Sequence, residues 1–357
     1  MTPEFIGMIH HREASEIHPP GPVVYDRGYI RDFAQAAEAG GFDRVLVGYF
    51  ADGPDGFLLA ATAAQFTERL GFLVAHRPGF VAPTLAARKF ATLDQMTGGR
   101  AAMHVITGGD DADMFRDGDI STKDERYART DEYVDILKRI WTEPGATVDH
   151  EGRFYRFKGA STAIRCVQQP CIPIFFGGAS DAAITVSAKH ADVYALWGET
   201  HAQVRDITAR IDAEAAGFGR TVRYSLSFRP ILAATEDEAW DRADRIKQRI
   251  LSLRGGPSTV APVNEGSKRL LAAAAQGERL DTRLWTGAAL ATGARGNTTS
   301  LVGTPEQVAE ALADYWDMGV TTFLIRGFDP LADNIEYGRS LLPLTKKIIA
   351  ERAAAAG

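Results

Sequence analysis

The chain has 357 residues, of which 45% are hydrophobic and 24% charged, and its formal net charge is −6. These values are typical of a globular protein, and the length suits one large domain such as an α/β barrel with insertions. The acidic balance, the lack of a long basic run and the lack of any apolar stretch of roughly 20 residues argue against nucleic-acid, membrane-surface and membrane-spanning roles.

The two cysteines, Cys166 and Cys171, lie close together in the sequence. Such a pair fits neither a disulfide framework nor a usual zinc spacing, so we expect reduced packing residues and no metal ligands. The first residues do not resemble a signal peptide. We therefore expect a cytoplasmic protein that acts on a small molecule.

Short runs rich in β-branched and aromatic residues alternate with helical segments about eight times. The predicted strands are Phe5–Ile9, Arg44–Val47, Gly71–Ala75, Ala101–Ile106, Ile172–Phe176, Asp192–Leu196, Arg223–Ile231 and Thr321–Ile325. The predicted helices include Tyr29–Ala39, Pro54–Phe66, Pro83–Met96, Arg126–Trp141, Ala179–Lys189, Ala202–Ala215 and Pro305–Met318. Eight alternating units favour a closed (β/α)8 TIM barrel over an open doubly wound sheet, with residues 1–357 as a single domain.

Two segments, at about 108–125 and 251–297, are too long for ordinary connections. We expect both to be insertions that cover the C-terminal face of the barrel. The second carries a helical patch, Lys268–Ala275, between glycine-rich ends, and is interpreted as a mobile lid. A disordered surface excursion is the alternative interpretation.

The segment Pro173–Asp181 is the most informative motif, because it predicts a short buried strand that runs into the first turn of a helix. The unpaired N–H groups of that turn, the helix dipole and the Ser180 hydroxyl favour an anion of phosphate size. Gly177 and Gly178 allow the backbone to approach such a group closely.

Residues at the carboxyl ends of the strands of a TIM barrel face its active site. In this sequence they are His10 and His11, Tyr49, His76 and Arg77, His104 and Thr107, Ser180, Trp197 and Glu199, Arg229, and Arg326. The set is rich in cations and histidines and poor in carboxylates, which argues against a glycosidase with paired acids. Each residue also has a structural interpretation: arginines anchor loops, histidines bind backbone groups, and an indole packs at a rim.

A metal-dependent barrel hydrolase is a competing interpretation of the histidines. His10 and His11 are adjacent, however, so on a strand their side chains point to opposite faces and only one enters the barrel mouth. We therefore expect no metal site.

The motifs along the chain resemble those of the bacterial luciferase-like flavin monooxygenases, specifically the alkanesulfonate monooxygenase branch, over nearly the whole length. The resemblance is carried by Asp26–Tyr29, Phe72–Gly79, Ala86–Arg88, Thr92–Asp94, Thr97–Arg100, Val105–Gly109, Glu125–Tyr127, Phe175–Asp181 and Trp197–Glu199.

The resemblance implies a two-component enzyme that takes reduced FMN from a separate NAD(P)H:FMN reductase, uses O2, and cleaves a C–S bond to give an aldehyde and sulfite. It also implies a homodimer or homotetramer, and in many members a cis peptide after the third strand. The residues implied to bind the cofactor are Gly178, Ala179, Ser180 and Tyr127 at the phosphate, His104 and Thr107 at the ring or ribityl chain, and His76.

This sequence also departs from the branch pattern. Gly53 replaces a cysteine, Ser227 and Arg229 replace an arginine and a histidine, Phe328 replaces a tyrosine, Ala179 replaces a serine, and Arg326 replaces a small residue. The expected substrate-side residues are therefore Arg229, Arg295 as the lid arginine, Trp197, Arg326 and His11.

Guanidinium groups bind a sulfonate bidentately. Polar groups after the first strands favour a sulfosugar such as sulfoquinovose over an alkanesulfonate. The alternatives are a monooxygenase acting on a non-sulfonate, a deazaflavin-dependent oxidoreductase, and a non-catalytic flavin-binding partner subunit.

Overall fold

The computed structural model describes residues 2–143 and 147–356, and its eight parallel strands close into the predicted TIM barrel. The barrel strands are β1 (Glu4–Ile9), β2 (Arg44–Val47), β3 (Gly71–His76), β4 (Ala101–Val105), β7 (Ile174–Phe176), β8 (Val193–Trp197), β9 (Arg223–Phe228) and β14 (Val320–Ile325). Their hydrogen-bonded order around the barrel is β1-β14-β9-β8-β7-β4-β3-β2.

Helices follow most barrel strands and agree with the predicted ones to within a few residues. The helices are α1 (Arg27–Ala39), α2 (Gly56–Ala64), α3 (Pro83–Thr97), α4 (Asp111–Arg116), α5 (Lys123–Thr142), α6 (Asp181–His190), α7 (His201–Gly217), α8 (Glu236–Arg254), α9 (Glu265–Ala274), α10 (Gly287–Thr292), α11 (Pro305–Asp317), α12 (Pro330–Glu336) and α13 (Leu342–Ala356). A π-helical turn, Tyr337–Leu341, joins the last two.

Local sequence signals explain several of these boundaries. All six residues of β3 are buried, as expected for a parallel strand covered on both faces. The helix α3 starts at Pro83, where a missing N–H is harmless, and ends at Gly98 in the left-handed conformation (φ 65°). The helix α1 begins after Asp26, whose carboxylate accepts the N–H of Tyr29 at 3.0 Å.

Among the described residues, two small sheets lie outside the barrel. The strands β5 (Val148–Glu151) and β6 (Arg156–Ala160) form an antiparallel pair. A four-stranded sheet has the order β10-β13-β12-β11. Its strands are β10 (Ile231–Leu232), β11 (Arg279–Leu280), β12 (Leu284–Trp285) and β13 (Ser300–Gly303).

The chain divides into two compact units. The first unit comprises Met1–Val45, Ala195–Arg210 and Arg223–Gly357. The second unit comprises Leu46–Tyr194 and Ile211–Val222.

Both predicted insertions contain regular structure. The segment 108–125 holds α4 and runs into α5, whose start is fixed by a capping box between Thr122 and Glu125. The segment 251–297 holds α9, β11, β12 and α10, and its Trp285 packs in a buried cluster with Trp240 of α8. The second insertion is therefore a packed element rather than a structureless excursion. Its mobility as a lid stays a prediction.

Several simpler expectations can also be compared with the structure. Both cysteines are free, and within the described residues no group of acidic, histidine or cysteine side chains has a metal-binding arrangement. None of the described helices is long and apolar enough to cross a membrane. The cis peptide that many members of the resembling family have after the third strand is not found there, because across the described backbone the cis bond falls at Gln169–Pro170.

Candidate functional site

In the second unit, the junction between β7 and α6 forms the predicted anion site. This site, made by Gly178, Ser180 and Tyr127, is called the cradle. Ser180 is the N-cap of α6, and its hydroxyl accepts the N–H of Ala183 at 3.4 Å. The Tyr194 hydroxyl donates to the Gly178 carbonyl oxygen at 2.8 Å. The N–H groups in the first turn of a helix have no intrahelical acceptor. The first turn of α6 therefore presents hydrogen-bond donors and the positive end of the helix dipole to an anion.

Gly178 is required by the close packing of this cradle. A Cβ atom at this position would lie 2.6 Å from the Cβ of Ala183 and 3.3 Å from the Tyr127 hydroxyl oxygen. Its φ of 151° is also one that residues with a side chain rarely adopt. The structure thus brings Tyr127, Gly178 and Ser180 together, as predicted, and Ala179 lies between the last two.

Tyr127 reaches the cradle from α5, where its hydroxyl hydrogen-bonds Ser180. Burial raises the pKa of the Tyr127 hydroxyl, so this group stays a neutral donor at physiological pH. The neighbouring Arg126 is almost fully buried and donates to the Ser121 carbonyl oxygen at 2.6 Å and to Asp111 at 2.7 Å. Arg126 therefore fixes the first insertion against the helix that carries Tyr127.

His104 and Thr107 lie on β4 and just after it. Burial lowers the pKa of His104 to about 4, so the ring is neutral near pH 7. Its Nδ1 atom is buried and has no hydrogen-bond partner within the described residues. Buried polar atoms are rarely left unsatisfied, so this nitrogen is a candidate ligand contact. The Thr107 hydroxyl lies 3.4 Å from that of Thr130.

His76 has a structural environment instead. Its Nε2 lies 2.7 Å from the Tyr133 hydroxyl oxygen, which in turn donates to the Val81 carbonyl oxygen. The rings of Phe57 and Phe90 stand edge-on to it. These contacts favour packing over the cofactor role expected for His76.

Arg77 is held by the first insertion. It pairs with Asp113, lies 3.6 Å from Asp117, and stands 4.5 Å from the centre of the Tyr49 ring. The Tyr49 hydroxyl donates to Asp117 at 2.8 Å. This arginine therefore anchors an acidic loop, as its structural interpretation proposed.

Buried histidines make the stability of the protein depend on pH. Burial lowers the pKa of His10 and His104 to about 4 and that of His76 to about 3, from an ordinary 6.5. The unfolded chain then binds more protons than the folded chain between about pH 6.5 and 4, so the free energy of unfolding decreases as pH falls through this window.

We expect His104→Gln to reduce the proton uptake on unfolding by about one proton in this window. Urea unfolding at pH 7, 6 and 5 gives the slope of the unfolding free energy against pH for the wild type and the His104 variant. His18→Gln, which removes a histidine whose side chain is 46% exposed, is the control. Equal slopes in the wild type and the His104 variant would contradict the assignment.

In the first unit, Arg229 and Arg326 share one carboxylate. Glu16 Oε2 lies 2.8 Å from Arg229 Nη2, and Glu16 Oε1 lies 3.1 Å from Arg326 Nη2. Burial alone would raise the pKa of the Glu16 carboxyl, but the two arginines outweigh it and hold that pKa well below its usual range. Burial and Arg229 lower the pKa of Arg326 to about 10, so it remains charged near pH 7.

Donors remain on both arginines after Glu16 is counted. Arg229 is 1% exposed, yet its Nε and Nη1 have no hydrogen-bond partner among the described residues, and the same holds for Nε of Arg326. The guanidinium of Arg229 also lies 3.5 Å from the centre of the Phe328 ring. An adjoining cavity of about 20 Å³, lined in part by His10, has room for about one water molecule.

The remaining substrate-side predictions have different outcomes. Arg295 is exposed and has no ion pair in the described parts of the chain. His11 follows β1, and its carbonyl oxygen accepts the N–H of Asp26 at 2.7 Å. Glu16 was missed by sequence reasoning, because it lies in an irregular segment more than 200 positions from its partner Arg229. No local signal identifies it.

Trp197 lies at the end of β8 and contacts the second insertion. A Cβ atom on Gly266 of α9 would be 2.9 Å from the indole. Nearby, Glu199 accepts two hydrogen bonds from Arg269 Nε and one from its Nη2 at 2.6 Å. Trp197 therefore supports the position of α9, which agrees with a packing role as well as with a ring-binding wall.

Comparisons with known proteins support this description. The model of the luciferase-like monooxygenase family matches residues 4–322. A riboflavin lyase structure is 21% identical and has a TM-score of 0.77, with 99% of this chain and 92% of that chain covered. EDTA monooxygenase from Chelativorans sp. BNC1 is 19% identical, with 99% and 95% covered and a TM-score of 0.74.

The coenzyme F420-dependent tetrahydromethanopterin reductase from Methanopyrus kandleri is also similar. It is 17% identical and has a TM-score of 0.70, with 96% of this chain and 99% of that chain covered. At these identities the structural likeness establishes the fold alone.

Proposed function

Because the chain belongs to the luciferase-like monooxygenase family, we propose that it is a monooxygenase that uses reduced FMN and O2. The observation that carries the proposal is the cradle of Gly178, Ser180 and Tyr127, whose donors suit a flavin phosphate. Bound there, reduced FMN would supply the electrons that activate oxygen, and the protein would orient it and exclude water.

We propose FMN rather than coenzyme F420, because the neighbour solved with modified FMN has the higher TM-score, 0.77 against 0.70. The similar riboflavin lyase was solved with modified FMN, whereas the similar reductase from Methanopyrus kandleri depends on F420. A phosphate cradle suits both cofactors, so competition between the two in a binding titration decides the choice. We further propose a separate NAD(P)H:FMN reductase as the supplier, and a homodimer or homotetramer in the cytoplasm.

The finer proposal is that the substrate is an organosulfonate, a sulfosugar such as sulfoquinovose or an alkanesulfonate. Its support is the set of unpartnered N–H donors on Arg229 and Arg326, which suit sulfonate oxygens. One oxygen atom of O2 would be added to the carbon that carries the sulfonate as the C–S bond breaks, giving an aldehyde and sulfite. The other oxygen atom would leave as water, with reduced FMN as the electron donor.

A second candidate is a monooxygenase with a substrate that carries no strong anion. It is favoured by the carboxylates that already pair with Arg77, Arg229 and Arg326. The adjoining cavity has room for about one water molecule, and Glu16 already pairs with both arginines, so a sulfonate that binds both would compete with the Glu16 carboxylate.

Anaerobic titration with reduced FMN, followed by oxygen and a panel of sulfonates, separates these proposals. We expect saturable flavin binding, then release of one sulfite for each O2 consumed with the correct sulfonate. Flavin binding with oxygen use but no sulfite from any sulfonate would favour the second candidate. No binding of any flavin would overturn the monooxygenase proposal, and loss of activity with a chelator would instead support a metal enzyme.

A further inference from the structure

The side chain of Asn297, at the end of the second insertion, is buried with neither polar atom satisfied. It is 9% exposed, and both Oδ1 and Nδ2 have no hydrogen-bond partner among residues 2–143 and 147–356. An unsatisfied buried amide destabilises the folded state by about 1–3 kcal/mol for each polar group. This pair of unpartnered atoms makes the Asn297 amide a candidate ligand contact.

The backbone around Asn297 is fixed to three barrel strands of the first unit. The Asn297 carbonyl oxygen accepts Arg326 Nη2, just after β14, at 3.5 Å. The Thr299 carbonyl oxygen accepts the N–H of Arg229, just after β9, at 3.0 Å. The Thr299 hydroxyl donates to the carbonyl oxygen of Gly198, just after β8, at 2.7 Å. The Asn297 backbone thus contacts the Arg326 side chain, and the nearby Thr299 backbone contacts the Arg229 backbone, through bonds that leave the Asn297 amide free.

The chemistry of the amide selects the kind of group that it would bind. An anionic oxygen of the substrate would accept a hydrogen bond from Nδ2. It would leave Oδ1 without a donor and would repel Oδ1. A hydroxyl group both donates and accepts, so it satisfies the amide on both sides. A site built to bind a hydroxyl rejects the analogue that lacks it, because its own polar groups are then left unpaired.

We propose that Asn297 determines specificity by hydrogen-bonding a neutral hydroxyl group that the substrate carries near its anionic group. The proposal rests on the organosulfonate function and narrows the substrate class to hydroxylated sulfonates. Asn297 would hydrogen-bond the hydroxyl group, while Arg229 and Arg326 would bind the anionic group.

The test compares Asn297→Leu with the wild type on matched pairs: a hydroxyalkanesulfonate against the alkanesulfonate of equal chain length, and sulfoquinovose against hexanesulfonate. Binding is measured by ligand-induced thermal shift and turnover by sulfite release. We expect the wild type to prefer the hydroxylated member, and the variant to lose about 10- to 100-fold in kcat/KM on that member only, mainly through KM.

The outcomes separate the specificity role from the function. Equal losses on both members would mean that Asn297 is merely structural, and unchanged affinities would mean that its amide binds only water. Either result overturns the inference while sulfite release leaves the function intact. Sulfonate binding by the wild type without sulfite release overturns the function, and the thermal-shift preference still tests Asn297. No binding of any sulfonate overturns both.

Discussion

A Gly178→Ala variant is expected to bind FMN at least about 100-fold more weakly than the wild type, a change of roughly 2.8 kcal/mol. The new methyl group would lie 2.6 Å from the Cβ of Ala183, so the first turn of α6 must move away from β7. That movement separates the donors of the turn from the Tyr127 hydroxyl. Fluorescence titration of oxidised FMN, and anaerobic titration of reduced FMN, measure the loss.

Gly217→Ala is the matched control for this change. Gly217 ends α7, and a Cβ atom there has no heavy atom within 4 Å, so the same chemical change meets open space. We expect its flavin affinity to equal that of the wild type. Circular dichroism of both variants confirms that the barrel remains folded. Wild-type affinity in the Gly178 variant would show that the flavin phosphate does not sit at this turn.

The barrel was predictable because its signals are local. Each strand is a short apolar run that is followed by a helix with its own start and stop residues. The strand Arg44–Val47 has its predicted limits, and the helix at Pro83 starts where a proline is tolerated and stops at Gly98. Such signals depend on residues a few positions apart, so one sequence contains them completely.

Other elements were not predicted, although one had a readable signal. The helix α8 follows a capping box between Thr235 and Glu238, and that pattern marks a helix start. The four-stranded sheet outside the barrel had no comparable signal, because β10 and β11 have only two residues each. Their pairing is decided by the buried cluster around Trp285, which forms only in the folded chain.

The candidate site also has one part that the sequence predicts and one part that it does not. The cradle was predictable because Gly178 and Ser180 are adjacent to their strand and helix in the sequence. The charge balance of the arginines was not, because Glu16 is brought to Arg229 and Arg326 by the fold. The prediction that Arg229 and Arg326 bind a substrate anion therefore did not include the Glu16 carboxylate, with which both arginines already pair.

This pairing makes Glu16 a competitor for the sulfonate and gives opposite predictions for the two partners. Arg229→Met removes a buried donor and leaves Glu16 with Arg326 alone. Truncating one member of a buried charge pair costs about 2–5 kcal/mol, so we expect kcat/KM for the sulfonate to fall roughly 30- to 4,000-fold.

Glu16→Gln removes the competing charge, and we expect sulfonate to bind about tenfold more tightly, a gain of roughly 1.4 kcal/mol.

Stability provides a second measurement of the same competition. Glu16→Gln leaves the buried Arg229 and the partly buried Arg326 without a counter-ion, so the melting temperature should fall. An alkanesulfonate should raise the melting temperature of this variant more than that of the wild type. Flavin affinity should not change in either variant, because neither substitution alters Gly178, Ser180 or Tyr127 or a contact that these residues make. Arg31→Met, at a half-exposed surface arginine, controls for the loss of a positive charge. If Glu16→Gln weakens sulfonate binding as much as Arg229→Met does, the carboxylate assists the anion site instead of competing for it.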